Sequence, residues 1–366
     1  MTTAGLLAVT HCIAAQPALK DVFTNHFLIG TAVNESQFTG RNAAQTALIK
    51  QQFNAITPEN VMKWESIHPS HDTYRFGAAD RCVEFGETNG MFIVGHTLVW
   101  HEQTPKWVFE DDKGGPADRE TLLARMSNHI HTVVGRYQGR VKGWDVVNEA
   151  LNEDGTLRQT PWLRIIGEDY LIKAFKFAHA TDPSAELYYN DYSLENEPKR
   201  KGAIALVKKL QAAGVKVAAI GTQTHAKMTW PSPELVHDTL NEFRKLGVKV
   251  MIAELDIDVL PARSNNNSAE VSRREAADPQ LNPYRAGLPD SVQQALAARY
   301  GELFAVYVQH ADIISRVTFW GVTDGDSWLN NWPVRGRANY PLLFDRAGKP
   351  KPAFTNVIQT AVPAKR

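Results

Sequence analysis

Apolar and polar positions alternate along this chain on two length scales. Short apolar runs rich in Val, Ile and Phe recur at 27–33, 53–57, 91–97, 141–147, 187–190, 217–222, 248–253 and 314–320. Longer segments with helical spacing separate them. Leu122, Met126, Ile130, Val133 and Tyr137 form one helical stripe, and Val292, Leu296, Tyr300, Leu303 and Tyr307 form another. Ser232 followed by Pro233 reads as an N-cap with proline in the first turn, and Gly247 stands where such a helix would end. Eight strand candidates interleaved with helices predict βαβ units and a parallel sheet. The fold class expected is α/β, a single (β/α)8 TIM barrel, with the site at the C-terminal ends of the strands. No GxGxxG follows the first run, which removes the main support for a dinucleotide-binding sheet.

Buried parallel strands are apolar on both faces, so a carboxylate directly after such a run is costly unless it is paired or functional. The fourth run passes into WDVVNEAL and places Asn148 and Glu149 at its end. The seventh passes into AELDID and places Glu254 there, with Asp256 two residues on. Either glutamate alone has an ordinary reading as a cap or a salt-bridged rim residue. The pair is more specific, because the fourth and seventh strands face each other across a small barrel. Two carboxyls straddling one bond are what glycosidic cleavage needs: one protonates the leaving oxygen, and the other attacks the anomeric carbon or activates water. Other run ends supply Glu59, Asn60, Lys63 and Trp64; His96, Trp100 and His101; Asn190, Asp191 and Tyr192; Gln223 and His225; and Trp320, Asp324 and Trp328.

Composition narrows the partners. Lys+Arg and Asp+Glu both number 40 in 366 residues. That balance argues against nucleic acid. No apolar run is long enough for a membrane span. The two cysteines, Cys12 and Cys82, cannot make a disulfide framework and are expected as free thiols. His11, His96 and His101 lack metal-ligand spacing, so neither a metal nor another cofactor is expected. Residues 1–20 read as an N-terminal extension: either a signal remnant, which would imply a secreted or periplasmic protein, or a frayed segment. Residues 21–366 read as one catalytic domain, expected to be a monomer. The polar segment 258–289, with its SNNNSAE, is expected as a long loop on the active-site face.

Taken together, ITPENVMKWE, GHTLVWH, WDVVNEAL, YYNDY, TQTHA, AELDID, FWGVTDGDSWL and the closing PLLFDRAGKPKPAF resemble glycoside hydrolase family 10, the endo-β-1,4-xylanases. The resemblance covers about residues 27–354. It implies a retaining reaction on xylan and xylo-oligosaccharides, with Glu149 as general acid/base and Glu254 as nucleophile. It implies that Asn148 bonds the sugar 2-hydroxyl and that His225 contacts the nucleophile, with Asp256 as its carboxylate partner. Lys63, His96, Trp100 and Gln223 are implied as glycone contacts, Glu59 and Asn60 as contacts one sugar further out. Tyr192 is implied as an aglycone stacking residue, and Trp320 and Trp328 as an aromatic wall. A non-proline cis peptide is implied at His96–Thr97. The alternatives are a β-1,4-glucanase or mannanase on the same barrel, or a barrel that binds sugar without cutting it.

Overall fold

The computed structural model describes residues 17–263 and 268–361. Residues 1–16, with Cys12 and His11, and the SNNN of 264–267 lie outside them. All eight strand candidates are strands: β1 (Leu28–Val33), β2 (Ala55–Pro58), β3 (Phe92–Val99), β4 (Gly143–Asn148), β5 (Glu186–Asp191), β6 (Ala219–Thr222), β8 (Lys249–Asp258) and β9 (Ile314–Phe319). A ninth, β7 (His225–Lys227), continues the line of β6 after a break at Gln223 and Thr224. The strands pair in parallel in chain order, β1 pairs with β9, and β6 pairs with β8. The sheet therefore closes into a barrel of eight staves, with β6 and β7 sharing one. Missing β7 from the sequence is understandable: three residues carry no periodicity.

Most apolar side chains fill the layer between barrel and helices. The helix Arg119–Arg136 buries Leu122, Met126, Ile130 and Val133, and Tyr137 at its C-cap is also buried. The helix Pro233–Arg244 is capped as its sequence suggests: the Ser232 hydroxyl accepts from the Leu235 N–H, and Gly247 has φ 68°. Cys82 is a buried free thiol whose pKa burial pushes up to about 12. A smaller cluster of Val94, Tyr188, Ala219, Met251 and Ala253 packs together, with Phe92 and Ala218 against it. The guanidinium of Arg316 lies over the rings of Phe92 and Tyr188 there, at 5.3 and 5.5 Å. No described helix is long and apolar enough to cross a membrane.

One glycine sets how tightly the wall packs. Gly95 stands opposite Trp144 in the β3–β4 register, and the fully buried indole lies across it. A Cβ at Gly95 would sit 2.1 Å from Trp144 Cε3. A fully buried indole between sheet and helices has little room to retreat. Gly95→Ala is therefore expected to lower stability by about 1–3 kcal/mol, the usual cost of overpacking, read as a lower denaturant midpoint with unchanged slope.

Candidate active site

Strand register builds the site. In β4 and β5, Asn148 stands opposite Asn190; in β7 and β8, His225 stands opposite Asp256; in β3 and β4, His96 stands opposite Asp145. Each pair makes a hydrogen bond: Asn190 Nδ2 donates to Asn148 Oδ1 at 3.0 Å, His225 Nδ1 meets Asp256 Oδ1 at 3.0 Å, and His96 Nδ1 meets Asp145 Oδ2 at 2.8 Å. Glu254 and Asp256 are two apart on β8 and so share a face. Hence one imidazole touches both, and His225 Nε2 lies 3.4 Å from Glu254 Oε2.

Glu149 follows β4 with φ 57°, and Thr224 follows the end of β6 with φ 54°. Both are left-handed, a conformation that costs a residue with a Cβ roughly 1–3 kcal/mol and persists where surrounding contacts impose it. The backbone of Glu149 is held by its N–H to Asn190 O at 2.9 Å, and that of Glu254 by its N–H to Gln223 O at 3.0 Å. The turn at Glu149 and the place of Glu254 on β8 bring both carboxyls to one cavity at the C-terminal mouth.

That cavity, of about 310 Å³, is lined by Lys63, His96, Trp100, Asn148, Glu149, Gln223, His225, Glu254, Trp320 and Trp328, together with Ala269 and Val271. Glu149 Oε2 accepts from Trp100 Nε1 at 2.9 Å, and its Oε1 from Gln223 Nε2 at 2.9 Å and Asn148 Nδ2 at 3.2 Å. Glu254 Oε1 accepts from Asn190 Nδ2 at 2.8 Å. Asn190 also holds Asn148, so a chain of amides connects the two carboxyls. Asn190 was legible only as a polar strand end; its bridging role follows from register, which the sequence does not display.

The two carboxyls sit in opposed electrostatic settings. Burial pushes Glu149 above the ordinary carboxylate range; His101 and the Gln223 bond oppose this, and the charges of Asp191 and Glu254 add to it. Burial is thus the first cause, ahead of the neighbouring negative charges. Burial acts in the same sense on Glu254, yet its pKa falls below the ordinary value, because the His225 hydrogen bond and the charges of His96 and His225 outweigh it. Burial alone would lower His225, but Asp256 and then Glu254 hold it at about 10. His225 is therefore an imidazolium at neutral pH. Trp328 Nε1 donates to the other oxygen of Asp256 at 2.8 Å and fixes that carboxylate.

Other expected residues fall nearby or elsewhere. Lys63 is buried, not a solvated surface charge; its Nζ donates to Gln103 Oε1 at 2.8 Å and Asn60 Oδ1 at 3.1 Å. Glu59 and Asn60 do not line the catalytic cavity, and Asn60 reaches it only through Lys63. Tyr192 is 2% exposed, Lys199 Nζ lies 3.4 Å from its ring centre, and its hydroxyl accepts from Arg158 at 2.8 Å. Asp191, 3.0 Å away, holds Lys199 against one face of the ring. The cis peptide at His96–Thr97 is present.

The loop after β8 folds back over the site, as Ala269 and Val271 in the cavity wall show. Its Glu270 pairs with Arg158 at 2.5 Å, and His101 lies 3.9 Å away. His101, Glu102 and Glu270 could place ligand atoms within 4.8 Å of one another. The Arg158 guanidinium on Glu270 opposes a metal cation there.

Comparison with known proteins places this architecture. The family model described as "Glycosyl hydrolase family 10" matches residues 18–360. The chain belongs to glycosyl hydrolase family 10. It is 44% identical to endo-1,4-beta-xylanase A of Xylanibacter ruminicola over 97% of this chain and 96% of that one. It is 43% identical to a beta-1,4-xylanase of Dictyoglomus thermophilum, over 94% and 91%. Among solved structures, a GH10 endoxylanase from a sugarcane soil metagenome superposes with TM-score 0.91 at 47% identity, covering 93% of this chain and 99% of that one. The family assignment and the barrel read from the motifs agree with these comparisons.

The His225–Asp256 pair yields a test. Asp256→Asn removes the charge that holds the imidazole positive, and Glu254 then loses its strongest charged donor. A carboxylate whose pKa is depressed stays active down to that low pKa. Raising the pKa moves the acid limb of kcat/KM to higher pH, expected by roughly one unit or more. A pH–rate profile measures this; the alkaline limb should move less.

Proposed function

We propose that the chain is an endo-1,4-β-xylanase that cleaves xylan and xylo-oligosaccharides with retention. Glu254 is the nucleophile and Glu149 the acid/base. The observation that carries this reading is the split environment of the two carboxyls. Glu254, beside an imidazolium, is charged and able to attack the anomeric carbon. Glu149, buried and without a cation bonded to it, holds its proton and can give it to the leaving oxygen. When Glu254 bonds to the sugar its charge is lost, so the pKa of Glu149 falls, and the same residue can take a proton from the incoming water. Xylan as substrate is supported by the relatives named above.

Trp320 and Trp328 stand against the same cavity as the carboxyls and narrow it. This favours a sugar without a C6 hydroxymethyl group over the glucan and mannan alternatives. Xylotriosides are expected to be cleaved with much higher kcat/KM than cellotriosides; comparable values would turn the substrate reading toward a glucanase.

Asn148 is placed to meet a sugar hydroxyl beside Glu149, and a contact that strengthens in an oxocarbenium-like transition state is worth several kcal/mol. Asn148→Ala is expected to lower kcat roughly 10²-fold while changing KM little. Treatment with a 2-fluoro xylobioside is expected to release the aglycone and add the mass of one 2-fluoro xylobiosyl group to the peptide carrying Glu254. A label on any other carboxylate, or none with rapid turnover, would overturn the nucleophile assignment.

A further inference from the structure

Residues 268–275 lie across the mouth of the barrel, with Ala269 and Val271 in the wall of the catalytic cavity. Glu270 meets the loops that follow β3 and β4. There Glu270 Oε2 meets Arg158 Nη1 at 2.5 Å, with His101 Nε2 at 3.9 Å. All three side chains are largely buried, at 22%, 18% and 11% exposure. Arg158 is itself fixed by its bonds to Tyr192 Oη at 2.8 Å and to the Leu151 carbonyl at 3.3 Å. From the other side of the mouth, Trp332 Nε1 donates to the Glu270 carbonyl at 3.0 Å, and the Glu275 N–H donates to the Pro333 carbonyl at 3.0 Å. Loops from opposite sides of the barrel thus meet at one residue.

Beneath this junction lie the reacting groups. Ala269 and Val271 wall the cavity that holds Glu149 and Glu254, and Ala269 also separates it from a neighbouring chamber of about 500 Å³. An open groove accepts an internal stretch of a polymer laid in from above. A groove bridged over its reacting atoms accepts only chains that thread beneath the bridge, which favours short, unbranched chains. We propose that 268–275 is a strap, latched by Glu270 onto Arg158, that selects short undecorated xylo-oligosaccharides over long, branched xylan. This rests on the proposed reaction at Glu149 and Glu254 and names which of its substrates the closed site takes.

The latch is not a proton switch. His101, opposed by burial and aided by Arg158, holds Glu270 down to about 2. A depressed carboxylate keeps its partner above its folded pKa and loses it only as pH falls through that value. Glu270 is therefore ionised at neutral pH, and opening depends on breaking its ion pair with Arg158.

Glu270→Gln tests this, because a neutral amide loses the charge-assisted bond to Arg158. The two readouts are kcat/KM on xylotetraose against kcat/KM on long arabinoxylan, and backbone hydrogen exchange of 268–275. The expected result is a roughly tenfold rise in the polymer-to-oligomer ratio, the scale of one lost bond to a charged group. Exchange should rise in the strap but not in the barrel strands, which separates unlatching from unfolding. An unchanged ratio overturns the strap, whether or not exchange rises. A native chain inactive on both sugars defeats the reaction itself, so the two failures are distinguishable.

Discussion

The site depends on keeping one buried carboxyl charged and its neighbour neutral. Burial alone raises the pKa of both, whereas the proposed double displacement needs one of them ionised. The asymmetry comes chiefly from the His225 imidazolium, to which the charge of His96 adds. His225 touches Glu254, and Asp256 holds the positive charge on His225 against the cost of burying it. Glu149 receives neutral donors instead, from Trp100, Gln223 and Asn148. Neutral donors orient a carboxyl with less effect on its charge than a cation has. The difference in chemistry between the two glutamates is therefore a difference in who bonds to them.

Barrel geometry makes that asymmetry reproducible. A closed sheet fixes the register of every stave, so opposite residues meet without help from flexible loops. Three register pairs, Asn148 with Asn190, His225 with Asp256 and His96 with Asp145, each place a side chain used at the site. The left-handed turn at Glu149 lies immediately past β4, and that at Thr224 lies in the break between β6 and β7, where the strands stop constraining side-chain direction. Rigid walls and turned ends together put the groups at one mouth. The Glu270–Arg158 pair then closes that mouth from above with a contact that no strand pattern dictates.

Much of this was legible before any coordinates. Eight apolar runs became eight staves, because a strand buried on both faces must be apolar and cannot hide that in its sequence. Glu149 and Glu254 stood out for the converse reason, as charges directly after such runs. The break between β6 and β7 was not legible, since three residues carry no period. Asn190 was seen as a polar strand end but not as the bridge between the carboxyls, because register is a property of two strands. The Lys199 ammonium against the Tyr192 ring was not legible either, because it comes from a helix whose docking the sequence does not reveal. Glu270 gave no signal, since a polar loop shows neither period nor apolar contrast.

The most direct measurement of the central claim is a carbon-13 NMR titration of the glutamate side-chain carboxyls, with Glu149 and Glu254 assigned by single substitution. The account predicts that Glu254 titrates below the ordinary carboxylate range and Glu149 above it. It also predicts that the Glu149 value falls once Glu254 carries a 2-fluoro sugar. Two similar pKa values, or the reverse order with Glu149 the more acidic, would contradict it.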